Sequence, residues 1–170
     1  MLPRDLELRE LSRGDLDAVI ELISRCDHSY LEWAPAGWRP PDLGWYRERW
    51  EERLPHREMW ARGAFDRSGE LVGFVAFGPE PGRSRVAHVN AVFVDPAHWR
   101  RGVGRSLLAM AEEEMRARGH HFARLWTPEG APACRFYERL GWRPERRRDW
   151  FEPLGLYVVG YEKPLSRSTS

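Results

Sequence analysis

Two glycines stand in the run Trp99-Arg100-Arg101-Gly102-Val103-Gly104-Arg105-Ser106, between a strand-like stretch and a helical apolar stripe. Glycine lets backbone amides approach a ligand closely, and the first amides of a helix, with its dipole, favour negative charge. The chemistry such a turn offers is the binding of a pyrophosphate or a similar anion. A tight strand-to-helix connection would use the same residues, so the turn alone does not choose between the two. Two nucleotide-binding patterns are excluded by residue type. Leu107 occupies the third position of a Gly-x-Gly-x-x-Gly fingerprint, and no Gly-Lys-Ser/Thr follows.

The elements that position this turn follow from periodicity. Val86 to Val94 is the most strand-like run of the chain and ends at Asp95-Pro96. Strict alternation would put His88, Asn90, Val92 and Val94 on one face. After the turn, Leu107, Leu108, Ala111 and Met115 mark a helix that stops at Gly119. Phe122 to Thr127 reads as a strand, and Ala133, Phe136, Tyr137 and Leu140 as one face of a short helix closed by Gly141. Two final strands run roughly 146–151 and 156–162.

Upstream, Leu6 to Arg9 alternates like a strand, and Leu16, Val19, Ile20 and Ile23 mark a helix opened by Asp15. Residues 27–42 read as an aromatic, Pro-rich and Gly-rich loop, followed by a charged helix over 45–54 that Pro55 stops. Met59 to Phe65 and Leu71 to Phe77, joined by Asp66-Arg67-Ser68-Gly69-Glu70, read as an antiparallel hairpin, and Gly78 to Ser84 as the next turn. The order is β-α-α-β-β-β-α-β-α-β-β. With no low-complexity linker, residues 1–165 are expected to form a single domain and 166–170 a polar tail.

Bulk properties exclude several classes. The 170 residues carry 27 Lys and Arg against 26 Asp and Glu, a formal charge of +1 that offers no global field for nucleic acid or an anionic membrane. The start lacks a secretory pattern and no run reaches the ~18 apolar residues of a membrane span, so a cytoplasmic location is expected. Cys26 and Cys134 are too few for a disulfide framework and lack zinc-site spacing, so no metal is expected. Nine Trp are present, five of them (Trp33, Trp38, Trp45, Trp50 and Trp60) in the first 60 positions. Either core packing or a ring-lined ligand cleft would account for them.

Taken with its surroundings, Val92-Phe93-Val94-Asp95-Pro96 followed by the glycine turn and Leu107-Leu108 resembles the coenzyme A motif of the GCN5-related N-acetyltransferase (GNAT) family. Ala133-Cys134-Arg135-Phe136-Tyr137-Glu138-Arg139-Leu140-Gly141-Trp142 resembles the family's second motif, a helix of the form Ala-x-x-Phe-Tyr-x-x-x-Gly-aromatic. Two positions depart from the pattern. Trp99 stands where the family often has Gln or Arg, and Gly130 where it has Asn.

The resemblance implies an α/β (α+β) fold, a mixed and splayed central sheet of about seven strands flanked by about four helices. It implies an enzyme that transfers the acetyl group of acetyl-CoA directly to an amine, on a small molecule or a protein. Coenzyme A would be held by Val92, Phe93 and Val94 as an added strand, by Arg100, Arg101, Gly102, Val103, Gly104, Arg105 and Ser106 at the pyrophosphate, and by Ala133, Phe136 and Tyr137. Tyr137 occupies the position of a general acid for the leaving thiolate. His88, where some members carry a catalytic Glu, is the candidate base, and Asn90 a residue to orient water. For each of these, ordinary packing or hydrogen bonding is the competing account. Cys134 has no sequence-evident base, and no covalent intermediate is expected.

Asp27, His28, Tyr30, Glu32, Trp33 and Trp38 fall where the resemblance places the acceptor, which would suit a cationic or aromatic amine. The cluster Arg143, Arg146, Arg147 and Arg148 reads as solvated surface. An acyl-coenzyme A sensor without turnover is the alternative function; it would keep the glycine turn and need neither His88 nor Tyr137. The sequence leaves open the acceptor and whether the chain forms a homodimer.

Overall fold

The computed structural model describes residues 1–54 and 56–165. Pro55, expected to end the second helix, and the tail at 166–170 lie outside the described residues. Seven strands form one sheet in the order β1-β2-β3-β4-β5-β7-β6. They are β1 (Glu7–Glu10), β2 (Trp60–Phe65), β3 (Leu71–Pro79), β4 (Val86–Val94), β5 (Phe122–Pro128), β6 (Arg143–Phe151) and β7 (Leu156–Pro164). Pairing is antiparallel except between β4 and β5, which the crossover through a helix makes parallel. The helices are α1 (Leu16–Ser29), α2 (Leu43–Arg53), α3 (Val103–Ala117) and α4 (Pro132–Arg139). The mixed seven-stranded sheet with four helices is the architecture that the two motifs implied.

The helices divide the core into two layers. Leu107, Leu108, Ala111 and Met115 of α3, all fully buried, pack on Val75, Phe77, Val89 and Leu125, together with Tyr137 of α4. On the opposite face Val19, Ile20, Ile23 and Cys26 of α1, with Trp50 of α2, cover Phe74, Ala76 and Ala91. Trp50 meets Phe74 edge to face at 5.2 Å. Trp50 and Trp60 are therefore core residues, whereas Trp33, Trp38 and Trp45 are only partly covered.

Three sequence expectations need correction. First, the region read as loop from residue 27 begins later, because α1 continues to Ser29 and a 3-10 turn follows over Tyr30–Glu32. Asp27 and His28 are thus fixed on a helix, where the Pro and Gly farther on had suggested loop. Second, the alternation along β4 is broken. Ala76 pairs with Ala91 but Phe77 pairs with Val89, so Asn90 is an extra residue bulged out of the ladder. A bulge reverses the parity of the strand. Ala87 and Val89 face α3 before it, and Val92 and Val94 face α3 after it. His88, opposite in parity to Val89, therefore lies on the α1/α2 face of the sheet with Ala91 and Phe93, not with Val92 and Val94.

Third, Phe93 does not offer its backbone for an added strand. The Asp95 amide donates to the Val72 carbonyl at 2.8 Å, which makes that a hydrogen-bonded pair. Alternation in the antiparallel ladder then ties Phe93 to Phe74 and turns the backbone groups of Val92 and Val94 away from β3.

Candidate active site

β4 pairs with β5 only from Val86–Phe122 to Val89–Leu125. Beyond this point β4 stays with β3 as far as Val94, and β5 stays with β7 as far as Pro128. The strands part at the Asn90 bulge, and the split is lined on its β4 side by the outward-turned backbone of Val92 and Val94. The Val94 carbonyl is already engaged, by the Trp99 indole N–H at 2.8 Å and the Cys26 thiol at 3.3 Å. Trp99, 45% exposed, thus acts as a hydrogen-bond donor closing the end of the strand. The Cys26 thiol is pushed up to about 12, first by burial and then by nearby acidic groups.

The glycine turn opens onto the same place. Gly102 is the N-cap of α3 with φ +79°, a left-handed conformation natural to glycine, and it has no side chain to cap the helix. The first amide bonded back within α3 is that of Ser106, to Gly102 at 3.0 Å. The amides of Val103, Gly104 and Arg105 therefore point out of the helix start uncapped, the arrangement that holds anionic oxygens. A Cβ on Gly104 would come within 3.2 Å of Phe136 and 3.4 Å of Val94, so this glycine lets α3, α4 and the end of β4 close together. Gly130, at the Asn position of the second motif, has φ +79°, a conformation Asn also tolerates. The departure from the motif is therefore a conservative one.

The basic residues around the turn are not equivalent. Arg101 is committed to Asp5, 2.6 Å away, and that pair holds the Asp5 carboxyl below its usual range. Arg100, at φ +64°, and Arg105 form no ion pair among the described residues. Both can turn toward an anion at the helix start.

Tyr137 stands on α4, buried in the core on the α3 side of the sheet. Its ring lies among Phe136, Trp142 and Tyr161, with centroids 5.2, 6.0 and 6.1 Å away. Its hydroxyl makes no hydrogen bond to a described residue, and burial pushes its pKa well up, so the group keeps its proton across the physiological range. That is a requirement for a proton donor. Ala133 and Phe136 pack beside it against the same core, Cys134 directs its thiol to the Pro128 carbonyl at 3.6 Å, and no arrangement of an activated nucleophile surrounds that sulfur.

His88 occupies the other face. Its Nδ1 donates to the Glu80 carboxylate at 2.7 Å, which in the neutral ring leaves Nε2 as an acceptor. Glu80 also meets Arg124 at 3.5 Å, and Arg124 meets Glu145 at 3.0 Å. Arg147, placed by an irregularity in β6 between Pro144 and Arg148, pairs with Glu145 and lies over the Trp126 ring at 4.2 Å. Arg147 therefore belongs to a partly buried network, where the sequence suggested solvated surface. Burial lowers the pKa of His88 and the Glu80 charge opposes the shift, so the ring is neutral at and above neutral pH. Glu80 had no signal in the sequence beyond its distance of eight residues, and only strand pairing brings the two together. Asn90 directs its amide nitrogen to the His88 carbonyl at 3.2 Å and toward Met59 sulfur at 3.7 Å, leaving only its carbonyl oxygen for other contacts.

The sheet thus splits beside an uncapped helix start on one face and carries a carboxylate-bound histidine on the other. The sequence model of the acetyltransferase (GNAT) family matches residues 18–142, and the chain belongs to that family. It is 28% identical over 141 residues to an uncharacterised N-acetyltransferase of Methanocaldococcus jannaschii, an overlap of 79% of this chain and 59% of that protein. The chain thus spans less than two thirds of that relative. Among solved structures it resembles the ribosomal-protein-S18-alanine N-acetyltransferase of Escherichia coli, with 20% identity, 97% of each chain covered and a TM-score of 0.71. It also resembles the PaiA N-acetyltransferase of Thermoplasma acidophilum in complex with coenzyme A, with 20% identity, 91% of this chain and 97% of that chain covered, and a TM-score of 0.67. At these identities the likeness is one of fold.

Proposed function

We propose that the chain is an acetyl-coenzyme A dependent N-acyltransferase that moves an acetyl group directly onto an amine of a small molecule or a protein. The observation that carries this reading is the uncapped start of α3 at Val103, Gly104 and Arg105, set beside the outward backbone of Val92 and Val94 where β4 and β5 part. These residues fit coenzyme A. The helix start suits a pyrophosphate, Arg100 and Arg105 supply charge beside it, and the strand edge suits the amides of the pantetheine arm. Val92 and Val94 carry that pairing, through groups that exclude the already bonded Val94 carbonyl, and Ala133 and Phe136 wall the opposite side.

When bound, the coenzyme supplies an activated acetyl thioester. The chain supplies proximity and two proton positions. An alkyl ammonium, with a pKa near ~10, must lose a proton before it can attack, and Nε2 of His88 is held ready to accept one directly or through water. The Tyr137 hydroxyl holds the proton that the departing sulfur takes up. The two groups lie on opposite faces of the sheet and meet only through the split, so acceptor and coenzyme enter from different sides. Asn90 shapes the split and positions the His88 backbone.

Thiol release from acetyl-coenzyme A in the presence of a panel of primary amines tests the proposal. Release that depends on the amine is expected. Coenzyme binding without any amine-dependent thiol would instead establish the sensor.

A further inference from the structure

A row of charged side chains crosses the α1/α2 face of the sheet at His88. Register pairs His88 of β4 with Arg124 of β5, and Arg124 with Glu162 of β7, so the three stand side by side on one face. Glu80 joins them from the end of β3, two residues beyond Gly78, the ladder partner of His88. On β6, Glu145, Arg146 and Arg147 stand against the single residue Gly160, and the extra length folds Glu145 and Arg147 over it. A Cβ on Gly160 would come within 2.8 Å of both side chains, so only glycine leaves room for them there.

Opposite charges alternate along this row. One oxygen of the Glu80 carboxylate accepts from His88 Nδ1 at 2.7 Å, and the other lies 3.5 Å from Arg124 Nη1. Arg124 is held on its far side by both oxygens of Glu145, at 3.0 and 3.4 Å. Glu145 in turn pairs with Arg147. The Arg124, Glu80 and Glu145 side chains are 12, 14 and 10% exposed, so water screens these contacts only in part.

A carboxylate 2.7 Å from an imidazole has two effects that conflict in a base. It orients the ring, and it also favours the protonated ring, which cannot accept a proton. Burial, with Arg53 of α2 and Arg147, weighs against protonation of His88, and Glu80 favours it. Glu162 stands on the other side of Arg124, its carboxyl pushed up by a hydrogen bond with Glu145. What remains to be offset is the Glu80 charge, and Arg124 is the group placed to do so.

We infer that Arg124 is a positioning residue: by balancing the Glu80 charge it lets that carboxylate fix the His88 ring without keeping it protonated. The inference rests on the reading of His88 as the base of an amine acyltransferase. Arg124 acts through Glu80. An ion pair that served the fold alone would change stability when broken and would leave the titration of His88 in place.

NMR titration of the His88 ring in the full chain, its signal assigned by loss in His88→Gln, tests this beside the pH dependence of kcat/KM. In the unaltered chain the ring should titrate below the ~6.5 of a free histidine. Arg124→Gln keeps a donor for Glu145 and removes the charge, so it should raise the midpoint by about one pH unit, opposite in direction to the loss of Glu80. A base works when unprotonated, so the acidic limb of kcat/KM should rise with the ring, a loss of about tenfold below the new midpoint with coenzyme affinity unchanged. Arg124→Lys retains the charge and should return the midpoint toward its original value. Arg124→Met replaces Arg124→Gln if circular dichroism shows the latter to be unfolded, and the midpoint of the unaltered chain is a test in either case. A midpoint at or above ~6.5 in the unaltered chain, an unmoved or lowered midpoint on removal of the charge, or a lysine variant displaced as far as the glutamine one would overturn the inference. A ring midpoint that rises while the acidic limb stays in place would leave the hold of Arg124 on His88 standing and overturn the reading of His88 as the base. Absence of amine-dependent thiol release would overturn only the acyltransferase reading, since the ring titration needs no turnover.

Discussion

The two faces of the sheet are built by different means. On the α3/α4 face the site is made of backbone: the helix start after Gly102, the outward groups of Val92 and Val94, and a close approach at Gly104. On the α1/α2 face it is made of side chains that the pairing of strands and loops brings together. His88 pairs with Glu80, Arg124 with Glu145 and Trp38 with Leu154, 116 residues away. A backbone site tolerates changes in most side chains as long as its glycines and turns are kept, so it suits a constant ligand. A site of side chains changes its ligand by substitution. This division predicts that variants on the first face alter coenzyme affinity, and that variants on the second alter acceptor use and its pH dependence.

Tyr137 lies on the α3/α4 face, and its variant should show the largest effect on rate. Tyr137→Phe keeps the ring among Phe136, Trp142 and Tyr161 and removes only the hydroxyl. Turnover should fall by roughly ten- to a thousandfold, the usual contribution of a positioned acid, with coenzyme affinity unchanged. Steady-state kinetics beside a coenzyme titration separates the two. Unchanged turnover would assign Tyr137 to packing alone.

Gly104→Asp should break the backbone face. The new Cβ would press on Phe136 at 3.2 Å, and a carboxylate would stand beside amides suited to an anion. Coenzyme affinity should fall roughly a hundredfold, or ~2.7 kcal/mol. Calorimetry on a variant shown by circular dichroism to be folded measures it, and full affinity would place the pyrophosphate elsewhere.

The difference between the faces also explains what could be read from the sequence. The β4 strand, the α3 stripe and the Gly-x-Gly turn announce themselves because periodicity and glycine placement are local signals. Their boundaries match the structure within a few residues. Asn90 gives no such signal, since a bulge depends on the partner strand, and one extra residue reversed the face assigned to Val92 and Val94 relative to His88. Glu80 and Arg124 could not be linked to His88 because parallel and antiparallel pairing join them across the sheet. Asp27 fell within the expected acceptor region, but the approach of Tyr46 of α2 to its carboxyl is one that no spacing rule supplies.

Asp27→Asn carries a stability signature on the second face. The carboxyl titrates near 3.8 when unfolded and at about 7 when folded, so the folded state binds the extra proton between those values. The cost of the buried charge is absent below the lower value and complete above the higher. The Asn variant should therefore gain more at pH 8 than at pH 4, by about 2 kcal/mol once relaxation of the site is allowed for. Thermal melts at the two pH values read the difference, and equal gains would show that the Asp27 carboxyl titrates alike in the folded and unfolded chain.

Glu80→Gln should produce a smaller loss and a shift. Burial lowers the His88 pKa and the Glu80 charge partly offsets this, so removing the charge lowers it further. A base works when unprotonated, and activity is lost as pH falls through its folded pKa. The acidic limb of kcat/KM should therefore move to lower pH, while the plateau drops by about tenfold because the ring tautomer is no longer held. If His88 only packs, the pH profile stays where it is.

The smallest effect is expected at Trp99, and it probes the border between the two faces. Its indole N–H and the Cys26 thiol, the latter from α1, converge on the Val94 carbonyl. Trp99→Phe keeps an aromatic ring at a position that is 45% exposed and deletes one donor. A single hydrogen bond near the surface contributes about 1 kcal/mol, and the carbonyl retains the thiol. If the indole merely terminates the strand, coenzyme affinity should change by less than tenfold, and the small loss should reflect a looser end of β4. If the freed carbonyl instead becomes an acceptor for the pantetheine amides, affinity should rise. Calorimetry of Trp99→Phe alone and combined with Cys26→Ala distinguishes these outcomes. A gain that grows in the double variant would show that the two donors compete with the ligand for Val94, whereas a loss greater than tenfold would place the indole itself in contact with the coenzyme.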